Sequence, residues 1–259
     1  TSTDDRHLSG NAGLLYLFDN GISPYVSWAQ SFQPQSGQTW DGKPFKPTEG
    51  EQFEAGIKYQ PPGLDAIFTL AAFDLTQKNV LTADLEHRYE QVQTGEVRSR
   101  GIELEGRAMV GPVEAILGYA WLDAEITSAN DGTEGNVWPD APKNTASLWL
   151  DYGFESGPLN GLGLGGGIRA WSGYYGDDTT NSDVAWNSGA AVFDVAIDYD
   201  FGALRPQWDG IALNFAVTNV GDRRITYCSP WGCDSRARRS AMLGSPRSSV
   251  VSGSKAWRG

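Results

Sequence analysis

Apolar and polar residues alternate with a period of two along most of this chain, and a chain patterned so has few options other than strands. Phe53, Ala55, Ile57 and Tyr59 alternate with Gln52, Glu54, Gly56 and Lys58, and Ile102, Leu104 and Ala108 with Glu103, Glu105 and Arg107. Ala146, Leu148, Leu150, Tyr152 and Phe154 interleave with Ser147, Trp149 and Asp151. Phe193, Val195, Ile197, Tyr199 and Phe201 interleave with Asp194, Ala196, Asp198 and Asp200, and Ile211, Leu213, Phe215 and Val217 with Ala212, Asn214, Ala216 and Thr218. Successive side chains of a strand leave opposite faces, so each segment builds one greasy face and one wet face. A soluble sandwich would bury the greasy face against a second sheet, and alternation alone does not exclude that.

Three further features favour a membrane barrel. The connections alternate short and long: Asp19–Ser23, Pro61–Asp65, Val110–Pro112, Glu155–Asn160 and Gly202–Gly210 are short, and roughly 33–48, 78–92, 128–143, 176–188 and 220–235 are long. Outer-membrane barrels pair short periplasmic turns with long outer loops in this way. The segments run about 9–14 residues, enough for a tilted crossing of the hydrocarbon layer and longer than ordinary soluble strands. Phe18, Tyr59, Tyr152, Phe154, Tyr199 and Phe201 all fall just before a short turn, where descending strands would end in an interfacial belt. About ten strands follow one another from Ala12 to Val220 without a linker.

Composition agrees. With 40% hydrophobic and 20% charged residues the 259-residue chain is not disordered, and no run of about 18 apolar residues supplies a spanning helix. The 32 glycines and the 10 each of Trp, Tyr and Phe suit strands with many turns and aromatic belts. A net charge of −12 argues against a nucleic-acid partner. Cys228 and Cys233, with the distant His7 and His87, fall short of a usual metal site. The two cysteines read as a short disulfide loop in an oxidising compartment, with free thiols as the alternative. Thr1 opens without a basic or apolar leader, so a start has been removed or the chain is a fragment.

Several motifs carry a family resemblance. They are Ser31-Phe32-Gln33-Pro34, Lys46 to Tyr59 (KPTEGEQFEAGIKY), Phe73 to Leu81 (FDLTQKNVL), Gln93 to Glu105 (QTGEVRSRGIELE), Tyr119 to Glu125, Gly161 to Arg169 and Asn219-Val220-Gly221-Asp222. In this order and spacing, over about residues 12–233, the chain resembles the TonB-dependent siderophore receptors, the ferrichrome and hydroxamate branch above all. The resemblance implies an all-β fold, the C-terminal part of an antiparallel transmembrane β-barrel, with about 10 of 22 strands and with the plug domain absent. It implies an outer-membrane ferric-siderophore receptor of a Gram-negative bacterium, not an enzyme. The implied partners are a ferric siderophore, outer-membrane lipid and, through the missing plug, the TonB–ExbB–ExbD coupling complex. No cofactor is implied, because iron travels as cargo inside the siderophore. A fragment with two unpaired edges in lipid is expected not to transport alone.

The same resemblance places charges on the lumen side: Glu49, Glu51, Glu54 and Lys58, then Arg98, Arg100, Glu103, Glu105 and Arg107, with Asp194 and Asp198 from the later alternation. A lipid-facing Arg or Lys at mid-depth would cost about 2–4 kcal/mol. The glycines from 161 to 167 also fit a dinucleotide-binding GxGxxG, but that motif needs a following helix, and here Ile168 and Ala170 continue a strand. Small residues on an inner wall, leaving room for a plug, are the better reading.

Ligand contacts are expected from outer-loop aromatics: Trp40, Tyr89, Trp138, Tyr174, Tyr175, Trp186 and Trp231. The bland reading makes most of them belt or loop-packing residues. Asp131 to Asn136 has the acids of a calcium loop, with a solvated loop the simpler reading. No catalytic constellation is present.

Residues 227–233 look like the family's disulfide-bearing last outer loop, but the likeness ends at Cys233. Residues 1–233 therefore read as barrel and 234–259 as an aberrant basic tail in place of the closing strand. The tail carries Arg236, Arg238, Arg239, Arg247, Lys255 and Arg258 against the single acid Asp234. A shifted reading frame or a divergent tail would each explain it. The competing functions are a passive porin-like channel and a secreted soluble β-sandwich that binds carbohydrate.

Overall fold

A computed structural model describes residues 8–87, 89–176, 186–229, 232–237 and 240–244. Eleven strands form one antiparallel sheet in which neighbours in sequence are neighbours in space. They are β1 (Asn11–Leu15), β2 (Ile22–Gln33), β3 (Thr48–Tyr59), β4 (Asp65–Ala83), β5 (Gln91–Val110), β6 (Val113–Ser128), β7 (Asn144–Gly153), β8 (Leu162–Trp171), β11 (Ala190–Asp200), β12 (Ala212–Thr218) and β15 (Ser240–Gly244). Two small hairpins stand in the long loops: β9 (Tyr174–Tyr175) with β10 (Trp186–Asn187), and β13 (Arg224–Ser229) with β14 (Gly232–Ala237). Helical structure among the described residues is limited to three-residue turns.

The register carries the alternation across the sheet. One row runs Pro24, Ile57, Leu70, Leu104, Tyr119, Ala146, Ala170 and Ala191, and a row nearer the short turns ends Leu148, Ile168, Phe193. This apolar face has no covering layer among the described residues: Phe53 and Phe193 are each 57% exposed and Val26 54%. Among the described residues no second sheet faces it, so the two-layer packing expected of a sandwich is not what this sheet shows. Buried apolar side chains are few, and Phe45, Val97 and Ile126 belong to the loop ends of the molecule.

The opposite face is the wet one. Lys58, Thr69, Glu105, Gly118, Ser147 and Arg169 form one row, and Ile67, Arg107, Ile116, Trp149, Gly167 and Asp194 the next. Register places Glu54, Lys58, Glu103, Glu105, Arg107, Asp194 and Asp198 together on this face. Glu49, Glu51, Arg98 and Arg100 are corrected: they share a face with Phe53, Ile57, Ile102 and Leu104. For Arg98 and Arg100 the reason is strand length. β4 and β5 run 19 and 20 residues, about twice what a crossing needs, so their loop-side ends outrun the apolar band. There an outward charge meets water and partners. Arg98 Nε donates to Asp74 Oδ1 at 2.9 Å, and Asp123 lies 3.4 Å from Arg100 and 3.5 Å from Lys143. The same extension shrinks the expected 78–92 loop to residues 84–90, through bulges around Lys78, Val80 and Thr82.

The glycine run has a local cause. A Cβ at Gly165 or Gly167 would come within 2.5 Å of the Trp149 ring, and one at Gly163 would meet the Asp198 carboxylate. The bare strand therefore seats Trp149 and Asp198 on the wet face, and the next described element is the short strand β9, not a helix. Part of the basic tail is also in strands. β14 pairs with β13, placing Cys233 opposite Cys228, and Ser240–Gly244 pairs with β12 from Thr218↔Ser240 to Asn214↔Gly244. Pairing satisfies the backbone edge that β12 would otherwise present.

Candidate functional site

Above the wet face, where β5 to β8 meet the long loops, lies an open concavity of about 580 Å³. Its floor is Glu103 and Glu105 of β5 with Thr145 and Ser147 of β7, and its wall includes Arg169 and Trp171 at the end of β8. Strand alternation delivers the floor residues, since Glu103, Thr145 and Trp171 belong to one cross-strand row. Tyr174, Asp140 and Tyr227 reach it from three different loops. Arg169 is committed to Asp194, with Nε donating to Oδ2 at 2.7 Å. The free charge on the floor is therefore acidic, beneath an aromatic rim.

The loops around it are tied together. Asp140 N–H donates to Tyr175 O at 2.8 Å, joining the 129–143 loop to the β9–β10 hairpin. Asn187, 2% exposed, joins β10 to β13: its Nδ2 donates to Cys228 O at 3.0 Å and its Oδ1 accepts from Cys228 N–H. Cys228 and Cys233 form a disulfide across β13 and β14. Gly176 is required at this contact, because a Cβ there would come within 2.0 Å of Cys228 O. Burial, with the Asp140 carboxylate and Tyr227 nearby, pushes the Tyr174 phenol above its usual range, so it stays a neutral hydrogen-bonding group.

Of the aromatics expected from sequence, Tyr174 lines the concavity. Tyr175 and Trp186 pack edge to face at 4.8 Å within their own hairpin. Trp138 is half-buried, its backbone N–H donating to Ala124 O. Trp40 stacks on His87 at 4.0 Å and 17°, in a second opening of about 530 Å³ between the 34–47 and 84–90 loops. His87 Nδ1 lies 2.9 Å from Asp84 Oδ2. Tyr89 is 88% exposed at a positive φ of 71°. Trp231 lies outside the described residues. Sequence reasoning missed Trp171, Tyr227 and Asp140. The available signal was position, as Trp171 closes an alternating strand on its wet face and Tyr227 precedes the disulfide. In the 131–136 loop, Asp131 accepts from the N–H and hydroxyl of Thr133, the bonding of a self-closed loop. Among the described residues no group of three or more His, Cys, Asp or Glu is placed to hold a metal ion.

Comparison with known proteins gives this geometry a family. The family described as TonB dependent receptor-like, beta-barrel matches residues 1–220. The chain is 37% identical over 248 residues to the ferrichrome outer membrane transporter/phage receptor of Escherichia coli K12, covering 93% of this chain and 32% of that protein. It is 36% identical over 244 residues to the ferrioxamine receptor of Yersinia enterocolitica, covering 90% and 33%. It thus spans about a third of the length of these relatives. Among solved structures it superposes on the ferric preacinetobactin receptor from Acinetobacter baumannii with a TM-score of 0.71 at 23% identity, over 91% of this chain and 35% of that one. The ferric yersiniabactin uptake receptor from Yersinia pestis gives 0.71 at 18% identity, over 91% and 36%. These two likenesses speak for the fold, and the sequence matches for the family. The chain belongs to the TonB-dependent receptors of the Gram-negative outer membrane, a family of receptors and transporters, and forms part of their β-barrel.

Proposed function

We propose that the receptor containing this chain imports ferric siderophores of the hydroxamate class, taking the ligand at its outer mouth and passing it inward under the pull of TonB–ExbB–ExbD on a plug domain. The observation that carries this reading is the concavity on the wet face: Trp171, Tyr174 and Tyr227 rim a floor of Glu103 and Glu105 at the loop end of the sheet. Aromatic rings cover the carbon surface of a bulky chelate, while hydroxyls and carboxylates accept hydrogen bonds from its amides and amines. The relatives that bind ferrichrome and ferrioxamine support the ligand class. Iron enters as cargo, already wrapped by the chelator, so the protein needs no resident metal ligands. The outward apolar face meets outer-membrane lipid.

The test is uptake of labelled ferric ferrichrome and ferric ferrioxamine by cells whose only hydroxamate receptor is the intact protein. Uptake that stops when the coupling complex is deleted supports the reading. Uptake that persists without the coupler makes the barrel a passive channel. Tyr227→Ala and Trp171→Ala are each expected to weaken ligand binding by about tenfold, the loss of one well-packed aromatic contact.

A further inference from the structure

The turn from β11 to β12, residues 201–211, is the longest on the short-turn side of the sheet among the described residues. It is a closed knob. Two three-residue 3-10 turns, Phe201–Ala203 and Pro206–Trp208, follow one another. Phe201 N–H donates to Ile211 O at 2.9 Å, Leu204 N–H to Phe201 O at 3.0 Å, Trp208 N–H to Arg205 O at 2.9 Å and Ile211 N–H to Trp208 O at 3.0 Å. Asp200 caps the first turn by accepting from Gly202 N–H at 2.8 Å. These bonds satisfy much of the knob's backbone internally, which lowers the cost of placing it in a poorly hydrated layer.

Its side chains are wrong for water. Leu204 is 57% exposed and Ile211 54%, and Phe201, Trp208 and Ile211 line an open apolar notch of about 250 Å³. The notch continues the outward face: Phe193, Val195, Ile197 and Tyr199 lead into Phe201, whose ring meets Tyr199 at 5.3 Å and Trp208 at 6.3 Å. Beside it, the Arg205 guanidinium lies 5.0 Å from the Trp208 ring centre. Arg205 is the sole cation of the turn. Of the nearby acids, Asp200 is engaged by the Gly202 N–H.

We infer that this knob is a binding site for a phospholipid of the inner leaflet, the notch taking the upper carbons of one acyl chain and Arg205 the phosphate. The lipid is the occupant because the notch is continuous with the lipid-facing wall, and a cation held over an indole is the chemistry of the headgroup boundary. The short-turn side is periplasmic in barrels of this kind, which selects the inner leaflet. Nothing in this inference depends on which chelate the receptor carries.

The experiment titrates the intact receptor in mild detergent with phosphatidylglycerol and counts retained lipid by native mass spectrometry. Arg205→Gln is expected to weaken the tightest lipid by about fivefold, the worth of one cation at an anionic surface. Trp208→Ala should weaken it as well, while Arg98→Gln, at the other end of the wall, should not. Equal retention by all four proteins would overturn the site, and competition by inorganic phosphate at the same concentration would overturn its assignment to a lipid. As a second readout, phosphatidylglycerol brominated near its carbonyl end should quench the part of the fluorescence that Trp208→Phe removes. Absence of that quenching would also overturn the inference.

Discussion

Asn187 binds Cys228 as a strand would, its side-chain amide donating to the Cys228 carbonyl and accepting from the Cys228 N–H. One side chain thus satisfies both backbone polar groups of a buried residue in a neighbouring hairpin. Asn187→Leu removes both bonds and leaves two backbone groups unpaired, each costing about 1–3 kcal/mol. The expected result in the intact receptor is local: hydrogen exchange at the Cys228 amide rises at least about tenfold, while amides in β3 to β6 keep their protection. Unchanged exchange at Cys228 would show that the hairpin is held by other contacts.

The disulfide acts on the same hairpin in a different way. It closes a loop with a sequence separation of five, for which chain entropy gives about 2 kcal/mol. Pairing from Arg224↔Ala237 to Ser229↔Gly232 and the Asn187 clamp remain when it is lost. Cys228→Ser with Cys233→Ser should therefore loosen the hairpin and weaken ligand binding less than Asn187→Leu does, read by exchange and by titration with ferric ferrichrome. A larger effect from the double serine variant would reverse the ranking of the two restraints.

Trp149 and Gly165 make a test of wet-face packing. A methyl at Gly165 would sit 2.5 Å from the indole, with Asp151 also close. Gly165→Ala is expected to destabilise the barrel by about 1–3 kcal/mol, as overpacking does. Against a Trp149→Ala background the same change should cost much less, because only the Asp151 carboxylate, the movable end of a side chain at 2.8 Å, remains in the way. Guanidinium unfolding of the four proteins closes the cycle, and additive effects would show that the ring does not rest on that glycine.

Much of this architecture was legible because a period of two is a local property: the identities of Phe193, Val195 and Ile197 state which face they share whatever lies beyond them. The reading went wrong where parity was not followed through. Arg98 and Arg100 were assigned by charge to the wet face, although they are even-numbered like Ile102 and Leu104, and only the excess length of β4 and β5 explains their tolerance outside. The reason for the glycines at 163, 165 and 167 lay in neighbouring strands, in Trp149 and Asp198, and no window of local sequence contains it. The site was half legible for the same reason. Glu103 and Glu105 follow from strand parity, whereas Tyr227 and Asp140 are brought to Tyr174 by loop paths that have no period.

Asp41 offers a pH test outside the membrane. The Lys43 ammonium and then the Thr39 hydroxyl hold its carboxyl down to about 2, below the ordinary Asp value of about 3.9. A lowered folded value means that its contribution to the 38–44 turn is present above the ordinary value and is lost as pH falls through about 2. Between pH 7 and pH 4 the turn should therefore keep its structure, as read from the Thr39 and Gly42 amides by exchange. Asp41→Asn should remove any loosening seen near pH 2. Loosening that begins above pH 4 would mean that the pair does not persist in solution.

Ile197 and Asn214 are neighbours on opposite faces, Ile197 in the outward row with Phe215 and Asn214 in the wet row with Asp198. Ile197→Arg puts a guanidinium into hydrocarbon between the middle of β11 and the Tyr199 belt, at a cost that approaches about 2–4 kcal/mol towards mid-depth. Asn214→Arg puts the same group into water beside a carboxylate, where a solvated pair is worth about 0–1 kcal/mol in favour. Refolding of the intact receptor into lipid vesicles, followed by the shift between folded and unfolded bands on unheated gels, should show impaired folding for the first variant and ordinary folding for the second. Equal impairment would mean that both faces are dry, and equal tolerance that both are wet. Either result removes the physical basis for placing this sheet in a membrane.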